Sequence, residues 1–572
     1  MSLAVRTLLL LLILAACGHQ ERPRTGNGKG GRAYGGIFNW NETGPVRSIH
    51  PPGLTTAAGL RVGCLVYEGL VRFDPQDLTV RPCLAERWEV DPAGTSYTFH
   101  LRPDVRFHDD SLFSGGDGRV LTAEDVEHCF RRLCTADPEN NMFWLFQDRV
   151  RGANAHFKAT REGRDPGPVE GIRAMDERTL RIELIAPDPL FLQVLAHQGC
   201  WIYPRELEAA RPATTMRAIG TGPFVLRNIG SGGALVFERS PHYWGQDGLG
   251  NALPFLDGVR VTFNNDKAAE LVSFLQGKLS VVVDPPLERP DVLSDTMDAA
   301  TGRVRYRVQR IPGLSVQFYG FNTLARPFDQ AAVRKAFAMA IDQRFLIDSV
   351  LKGAAIVAEH GIVPPGLKDY PQKEVPGLLY DPERARQLLA EAGFPGGKGF
   401  PPVRLQVNND GFGYVRVAEA VQGMLERNLG IGLSISVLPI DQHYALVDEG
   451  RALLWRQGWV ADYPDPENFL ALFHGNNAVL DTAQASPLNT TRYHNARFDS
   501  LYQQARTTMD PARRLALLAA AERCMMEDAA VAPLYFDRTV RLLQPWVMDM
   551  PMNAMDLRDL SRVWFDPAKR ND

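Results

Sequence analysis

Alternating apolar and polar residues at Tyr97-Thr-Phe-His-Leu-Arg102 predict a strand, as does the β-rich run Val316 to Phe321. Thr122 stands at an N-cap position with Asp125 three residues on, which predicts a capped helix through Leu133. Apolar residues at Val333, Phe337, Ala340, Ile341 and Leu346 give a helical face between Asp329 and Val350. Asp381-Pro382 predicts another helix start with proline in its first turn, and Gly393 its end, after Leu388, Leu389 and Ala392. Leu433 to Leu438 alternates as a strand. Strand and helix signals thus interleave along the chain, the pattern of an α/β protein with mixed sheets. At 572 residues the chain is too long for one core and implies two or three lobes.

The stretch Trp455 to Phe469 breaks this regularity. It holds four aromatics, Trp455, Trp459, Tyr463 and Phe469, with Pro464, Pro466 and charges of both signs. The prolines exclude a helix interior or central strand after Tyr463 and predict a stiffened loop. Arg456 and Asp462, set beside Trp459 and Tyr463, have the chemistry to take the two ends of a small zwitterion over an aromatic floor. A surface loop with a salt bridge is the other reading of the same residues.

The N-terminus narrows the choice of ligand by placing the chain outside the cytoplasm. Arg6, the apolar run Leu8 to Leu14 and the small residues Ala15 and Ala16 before Cys17 read as a signal peptide over residues 1–16. Leu14-Ala-Ala-Cys17 resembles the lipobox of bacterial lipoproteins, which implies a lipidated Cys17 that tethers the chain at the periplasm or cell surface without spanning the membrane. Residues 17–33 are rich in Gly, Arg, Lys and polar side chains and predict a flexible tether. Gly26-x-Gly28-x-x-Gly31 within it matches a dinucleotide fingerprint only formally, because no strand precedes it. A formal net charge of −4 gives no nucleic-acid footprint.

Seven cysteines are too few for a disulfide scaffold. Cys64, Cys83, Cys129, Cys134, Cys200 and Cys524 are left after Cys17; Cys129 with Cys134 or Cys64 with Cys83 are conceivable pairs, and buried free thiols are the alternative. Cys129-x4-Cys134 lacks the second ligand pair of a zinc site. No Gly-x-Ser-x-Gly, His-Glu-x-x-His or Walker A loop occurs, and no cofactor motif stands. Asp109 and Asp110 read as turn residues ahead of Gly115-Gly116, and His100 and His108 as strand and turn residues. The residues therefore point to binding and away from catalysis.

An ordered set of short motifs carries a family resemblance over nearly the whole mature chain. It runs through Tyr67-Glu-Gly-Leu70, Leu84-Ala-Glu-Arg-Trp88, Val105-Arg-Phe-His-Asp109, Thr122 to Val126, Gly220-Thr-Gly-Pro-Phe224 and Pro241-His-Tyr-Trp244. It continues through Phe321-Asn-Thr323, Pro327-Phe328, Val333-Arg334, Ala340-Ile-Asp342 and Tyr380-Asp-Pro to Glu391-Ala-Gly393. The chain resembles the family 5 extracellular solute-binding proteins, the dipeptide and oligopeptide-binding class of ABC importers. The resemblance implies a periplasmic binding protein-like fold (class II, cluster C type) of two hinged lobes: lobe I from 34–63, 205–312 and 539–572, with an extra subdomain at 64–204, and lobe II from 313–538. It implies a monomer that closes on a peptide and presents it to an ABC permease with separate ATPase subunits, without a cofactor of its own.

Gly458-Trp-Val-Ala-Asp-Tyr463 resembles the oligopeptide-binding subgroup, in which the aspartate holds the ligand's α-ammonium; this implies that role for Asp462, and carboxylate recognition for Arg456. Backbone pairing of the peptide with Ser315 to Tyr319 and Gln457 to Trp459 is expected, with Phe318, Tyr319 and Trp459 as pocket walls or, equally, as core. The sequence departs from the family pattern at Asp110, at the Gly-rich insertion 114–119, at Ser280 where Asp is usual, and at Val460, which is Cys in some oligopeptide binders. Relatives of such a fold bind nickel chelates, haem, sugars or antibiotics, so a non-peptide ligand is the alternative reading. A periplasmic enzyme or a structural lipoprotein is the remote one.

Overall fold

The computed structural model describes residues 26–570 apart from residues 45, 47, 55, 210–216, 230–232, 287–288, 299–301 and 410–412. The signal peptide and Cys17 fall outside the described residues. Residues 26–33, expected as tether, are folded: Gly26–Asn27 pairs with Ala33–Tyr34, the Lys29 amide donates to Asn251 Oδ1 at 2.7 Å, and Arg32 meets Asp247 at 2.5 Å. Asp247 and Asn251 supply acceptors for a polar segment that has no apolar face of its own.

Ile37–Glu42 opens the first sheet and buries Phe38, Trp40 and Glu42 at alternate positions. It lies parallel to Gly258–Phe263, which continues antiparallel through Leu235–Arg239 to Phe224–Ile229. A second, antiparallel sheet is formed by Ala85–Val90, Ser96–Leu101, Thr179–Glu183 and Ile172–Asp176. The helix Ala123–Leu133 has the expected capping box between Thr122 and Asp125. Both sheets feed one continuous core that includes Phe38, Trp40, Phe99, Phe130 and Phe237. Residues 64–204 therefore close no core separate from the rest of the first lobe.

The second lobe is built on a seven-stranded mixed sheet ordered Val281–Val283, Val531–Leu543, Arg307–Phe321, Leu454–Val460, Val403–Asn408 and Leu433–Leu438, with Ala355–Val357 added beside Val531–Leu543. Along the 307–321 strand Leu314, Val316 and Phe318 enter one core, and Tyr319 and Phe321 the other. Burial on both faces accounts for the apolar residues at successive positions such as Phe318 and Tyr319. The face between Asp329 and Val350 is not one helix: Ala331–Met339 ends, Asp342 caps a new start by accepting from the Phe345 amide at 2.9 Å, and Leu346–Val350 forms a π turn. Aspartate favours a cap over a helix interior, and the break follows from it. Pro382–Glu391 and Leu433–Leu438 form as the pattern predicts.

The strands 307–321 and 531–543 are long enough to run from the second lobe into a small apolar cluster of Phe274, Val282, Tyr306 and Leu542. Their ladder shifts register between Gln317 and Phe318 and, more widely, between Pro312 and Val316. Pro312 pairs with Arg538 and Val316 with Phe536, so that Gly313, Leu314 and Ser315 stand opposite Asp537 alone. The freed backbone is satisfied elsewhere: the Leu314 amide donates to Ala554 O at 2.8 Å, and Leu314 O accepts from the Ala461 amide at 2.9 Å. Among the described residues no helix is long and apolar enough to cross a membrane, and the six described cysteines are free thiols.

Gly320 sits directly across the ladder from Trp455, whose indole would lie 2.5 Å from an added Cβ. Gly320→Ala should destabilise the protein by about 1–3 kcal/mol through overpacking; a denaturant titration followed by tryptophan fluorescence measures it, and an unchanged midpoint would contradict this packing account.

Candidate ligand-binding site

A cavity of about 1050 Å³ opens at the bulge and is lined from both lobes. The first lobe contributes Glu42, Arg61, Glu68, Arg72, Tyr243 and Arg558, and the second Ser315, Tyr414, Val460, Ala461, Asp462 and Asp537.

Leu454–Val460 is a strand, paired antiparallel with 307–321 from Ser315↔Val460 to Phe321↔Leu454. Beyond it Ala461 to Pro466 is irregular, as the two prolines require, before the short helix Glu467–Leu470. This loop is fixed from below. Asp465 forms a buried bidentate pair with Arg514 at 2.7 Å, and Glu467 accepts from the hydroxyls of Tyr463 and Tyr502. Asn468 is the local organiser: its Oδ1 accepts from Trp459 Nε1 at 2.8 Å and from the Asp462 amide at 3.1 Å, and its Nδ2 donates to Asp462 Oδ2 at 3.4 Å.

Asp462 thus reaches the cavity with one long hydrogen bond to its carboxylate and, among the described residues, no cation within 4.0 Å. Burial pushes its pKa up to about 6; Asn468 opposes the rise, and the neighbouring Glu467 adds to it. A carboxylate desolvated in this way lacks a positive partner. The acids of the first lobe differ. Glu42 accepts from Arg61 at 2.8 and 2.6 Å, from Arg558 at 3.1 Å and from Trp40 at 3.1 Å. Burial would raise its pKa, but these guanidinium groups hold it below the usual range. Glu68 takes hydrogen bonds from Thr221, Tyr243 and Trp244 at 2.9–3.0 Å, and burial keeps its pKa raised.

Several sequence expectations need correction. Arg456 is buried and does not line the cavity: its guanidinium lies 3.5 Å from the centroid of the Tyr414 ring, and it donates to Asn408 at 3.2 Å and to Gln317. Tyr414 stands on the wall in its place. Gly458 leaves the room for this arrangement, since an added Cβ would meet Gln317 Oε1 at 2.5 Å and Arg456 Nη2 at 2.8 Å. Phe318 and Tyr319 pack in the two cores of the sheet, and the 315–319 backbone is held between the 454–460 and 531–543 strands, so neither offers a free surface. Trp459 and Tyr463 brace the loop through Asn468 and Glu467. Only Val460, Ala461 and Asp462 of the segment line the cavity.

Sequence reasoning passed over Asn468 and Asp537. Asn468 carried a signal, a polar residue fixed behind Pro464 and Pro466, whereas Asp537 lies in an apolar strand and joins the site only through the bulge. Ser280, where the family pattern has Asp, accepts from the Asn39 amide at 3.1 Å and serves the sheet edge. Asp109 and Asp110 act in turns, accepting from the amides of Gly118 and Leu112 at 2.8 and 2.9 Å. Among the described residues no group of three or more His, Cys, Asp or Glu side chains is placed to hold a metal ion.

Two lobes joined by a pair of crossing strands, with a cavity at the crossing and an uncompensated carboxylate on its wall, define a ligand-binding protein. The family described as "Bacterial extracellular solute-binding proteins, family 5 Middle" matches residues 79–480, and the chain belongs to this family. Oligopeptide-binding protein OppA of Bacillus subtilis is 26% identical over 578 residues, covering 99% of this chain and 98% of that protein. Heme-binding protein A of Haemophilus influenzae is 30% identical over 457 residues, covering 77% and 76%. The fold is similar to that of the periplasmic binding protein DppA from Helicobacter pylori in complex with peptide STSA, with a TM-score of 0.75, 21% identity and coverage of 93% and 98%. A dipeptide-binding protein from Pseudoalteromonas in complex with Met-Leu gives 0.74, 23% identity and coverage of 93% and 100%.

The raised pKa of Asp462 has a stability consequence. Between about pH 4, where the unfolded carboxyl ionises, and about pH 6, where the folded one does, the folded state holds the extra proton, so stability falls as pH rises through that window. Asp462→Asn should therefore melt higher than the wild-type, ligand-free protein at pH 7–8, by about 1–3 kcal/mol, with the gain vanishing below about pH 4. Calorimetric melting across pH checks this; a variant less stable at pH 8 would refute the uncompensated charge.

Proposed function

We propose that this chain is the extracytoplasmic binding lipoprotein of an ABC importer, tethered through Cys17, and that as a monomer it captures di- to oligopeptides by lobe closure and delivers them to a membrane permease. Asp462 carries the reading. A buried carboxylate without a cation is costly, and a peptide's α-ammonium is the partner that would relieve it once closure excludes water. The peptide-binding relatives named above support the same ligand class. With lobe boundaries at 312/313 and 538/539, the bulge would act as the hinge, where φ and ψ changes over Gly313 to Ser315 and at Asp537 would swing the lobes. The bound state would be selected by contacts made only when both walls touch the ligand. Arg456 acts at one remove in this scheme, through Gln317 and Tyr414.

Isothermal titration with a tripeptide panel tests the assignment. Free tripeptides should bind, and N-acetylation or Asp462→Ala should weaken them by about 100-fold or more, the cost of a lost buried charge pair. Because the ligand's ammonium favours the ionised carboxylate, binding releases a proton where Asp462 is still protonated, and affinity should rise with pH up to about 6 and level off above it. Equal affinity for free and acetylated peptides would remove the role given to Asp462. Mass spectrometry of ligand released from purified protein is the independent check, and a haem, metal chelate or sugar would overturn the peptide class.

A further inference from the structure

Asp462 is not the only acid of the second lobe that faces the cavity without a cation. Asp537 lies on the same wall, opposite the bulge, and its Oδ2 accepts from Ser315 Oγ at 2.7 Å and from Gln317 Nε2 at 2.8 Å. Both donors are neutral. Among the described residues no ion-pair partner lies within 4.0 Å of Asp537, and Oδ1 receives no hydrogen bond, although it is not sealed off from solvent. The site is built to hold the side chain in place: the hydroxyl and the amide fix one oxygen, and Gln317 is itself locked by Arg456. One oxygen is positioned and the other is open.

The spacing bears on what could bridge the two acids. Asp537, Ser315 and Val460 lie on three neighbouring strands, and Asp462 follows Val460 by two residues. Two strand spacings separate the backbones of Asp537 and Val460 by about 10 Å, and Asp462 lies two residues further along the chain. An extended peptide advances about 3.5 Å per residue, so a lysine or arginine side chain on one of the first residues reaches the second acid while the α-ammonium sits on the first. On the opposite wall Glu42 and Glu68 are held by protein donors, Glu270, Asp556 and Asp559 are paired with Lys267, Arg558 and Arg72, and Asp284 accepts from the Val540 amide at 2.9 Å. Of the other lining cations Lys267 is paired with Glu270, and Arg310, Lys352 and Arg538 leave a carboxylate end of the ligand its own partners.

The geometry points to Asp537 as a second cation subsite, which makes the ligand class peptides bearing a lysine or arginine side chain near the amino end. The inference rests on the peptide reading given above and narrows it. Since Asp537 stands in the bulge, a cation held there would touch the segment at which the lobes turn.

The test is titration calorimetry of the full chain with tri-alanine, Ala-Lys-Ala, Ala-Arg-Ala and Ala-Glu-Ala. The wild-type protein should bind the basic peptides about 10- to 100-fold more tightly than tri-alanine, and Ala-Glu-Ala most weakly, the range of one charge-assisted hydrogen bond in a desolvated site. In Asp537→Asn the ratio between basic and neutral peptides should collapse toward one, whereas Asp537→Glu should restore part of it; circular dichroism melting shows that each variant is folded. Equal affinities of the wild-type protein for Ala-Lys-Ala and tri-alanine, or a ratio that survives in Asp537→Asn, would overturn the subsite and leave the peptide reading standing. If Asp537→Asn does not fold, an Asp537→Glu variant without basic preference overturns it equally. Failure of the wild-type protein to bind any of the four peptides would overturn the peptide reading and this inference with it.

Discussion

The pairing of the strands 307–321 and 531–543 is the constraint on which the rest of the molecule depends. They are the common spine of the large sheet and of the small cluster around Phe274 and Tyr306, and their ladder holds the two lobes in one chain path. A ladder that ran on without interruption would fuse the lobes into one rigid sheet. Three residues facing one at Gly313 to Ser315 prevent this, and the backbone groups released there are taken up by Ala554 from one side and Ala461 from the other. The bulge therefore sets two things together: the opening of the cavity, and the entry of Ala461 and Asp462 into its wall.

The electrostatics of the cavity follow the same division. On the first lobe Glu42 and Glu68 are satisfied within the protein, Glu42 by Arg61 and Arg558, Glu68 by a hydroxyl pair and an indole. Removing one member of such a set strands the other, so these groups stabilise the wall and are not available to a ligand. On the second lobe Asp462 and Asp537 are positioned by neutral donors alone. Neutral donors orient a carboxylate without cancelling its charge, and this is the arrangement a cation-binding wall needs.

Much of the framework was legible in the sequence because it rests on local rules. The Thr122 and Asp125 capping box, the proline start at Pro382 and the Leu433 to Leu438 alternation each depend on residues within one element. The irregular loop after Tyr463 was legible for the same reason. What the sequence did not disclose was tertiary. The zwitterion reading of Arg456 and Asp462 treated residues 456–462 as one surface, but alternation along a strand and the end of that strand at Val460 put the guanidinium behind Tyr414 and the carboxylate on the cavity wall. Phe318 and Tyr319 show the same limit, since an apolar residue in a strand covered on both faces has the composition of a pocket wall and the position of a core. The Asp342 break shows the converse, a local cap overriding a helical face that continues on both sides.

Arg456 still bears on the site, by a route that runs through hydrogen bonds. Its guanidinium polarises Gln317 by donating to the amide oxygen, and Gln317 passes its own N–H to Asp537 Oδ2. Chains of this kind strengthen each member, because a donor whose acceptor end is already engaged is the better donor. The positive charge thus steadies the orientation of Asp537 from behind the wall without neutralising it, which a direct ion pair would do. A cation placed one residue layer back, with Tyr414 between it and the cavity, leaves Asp537 its charge while the group that organises it stays inside the fold.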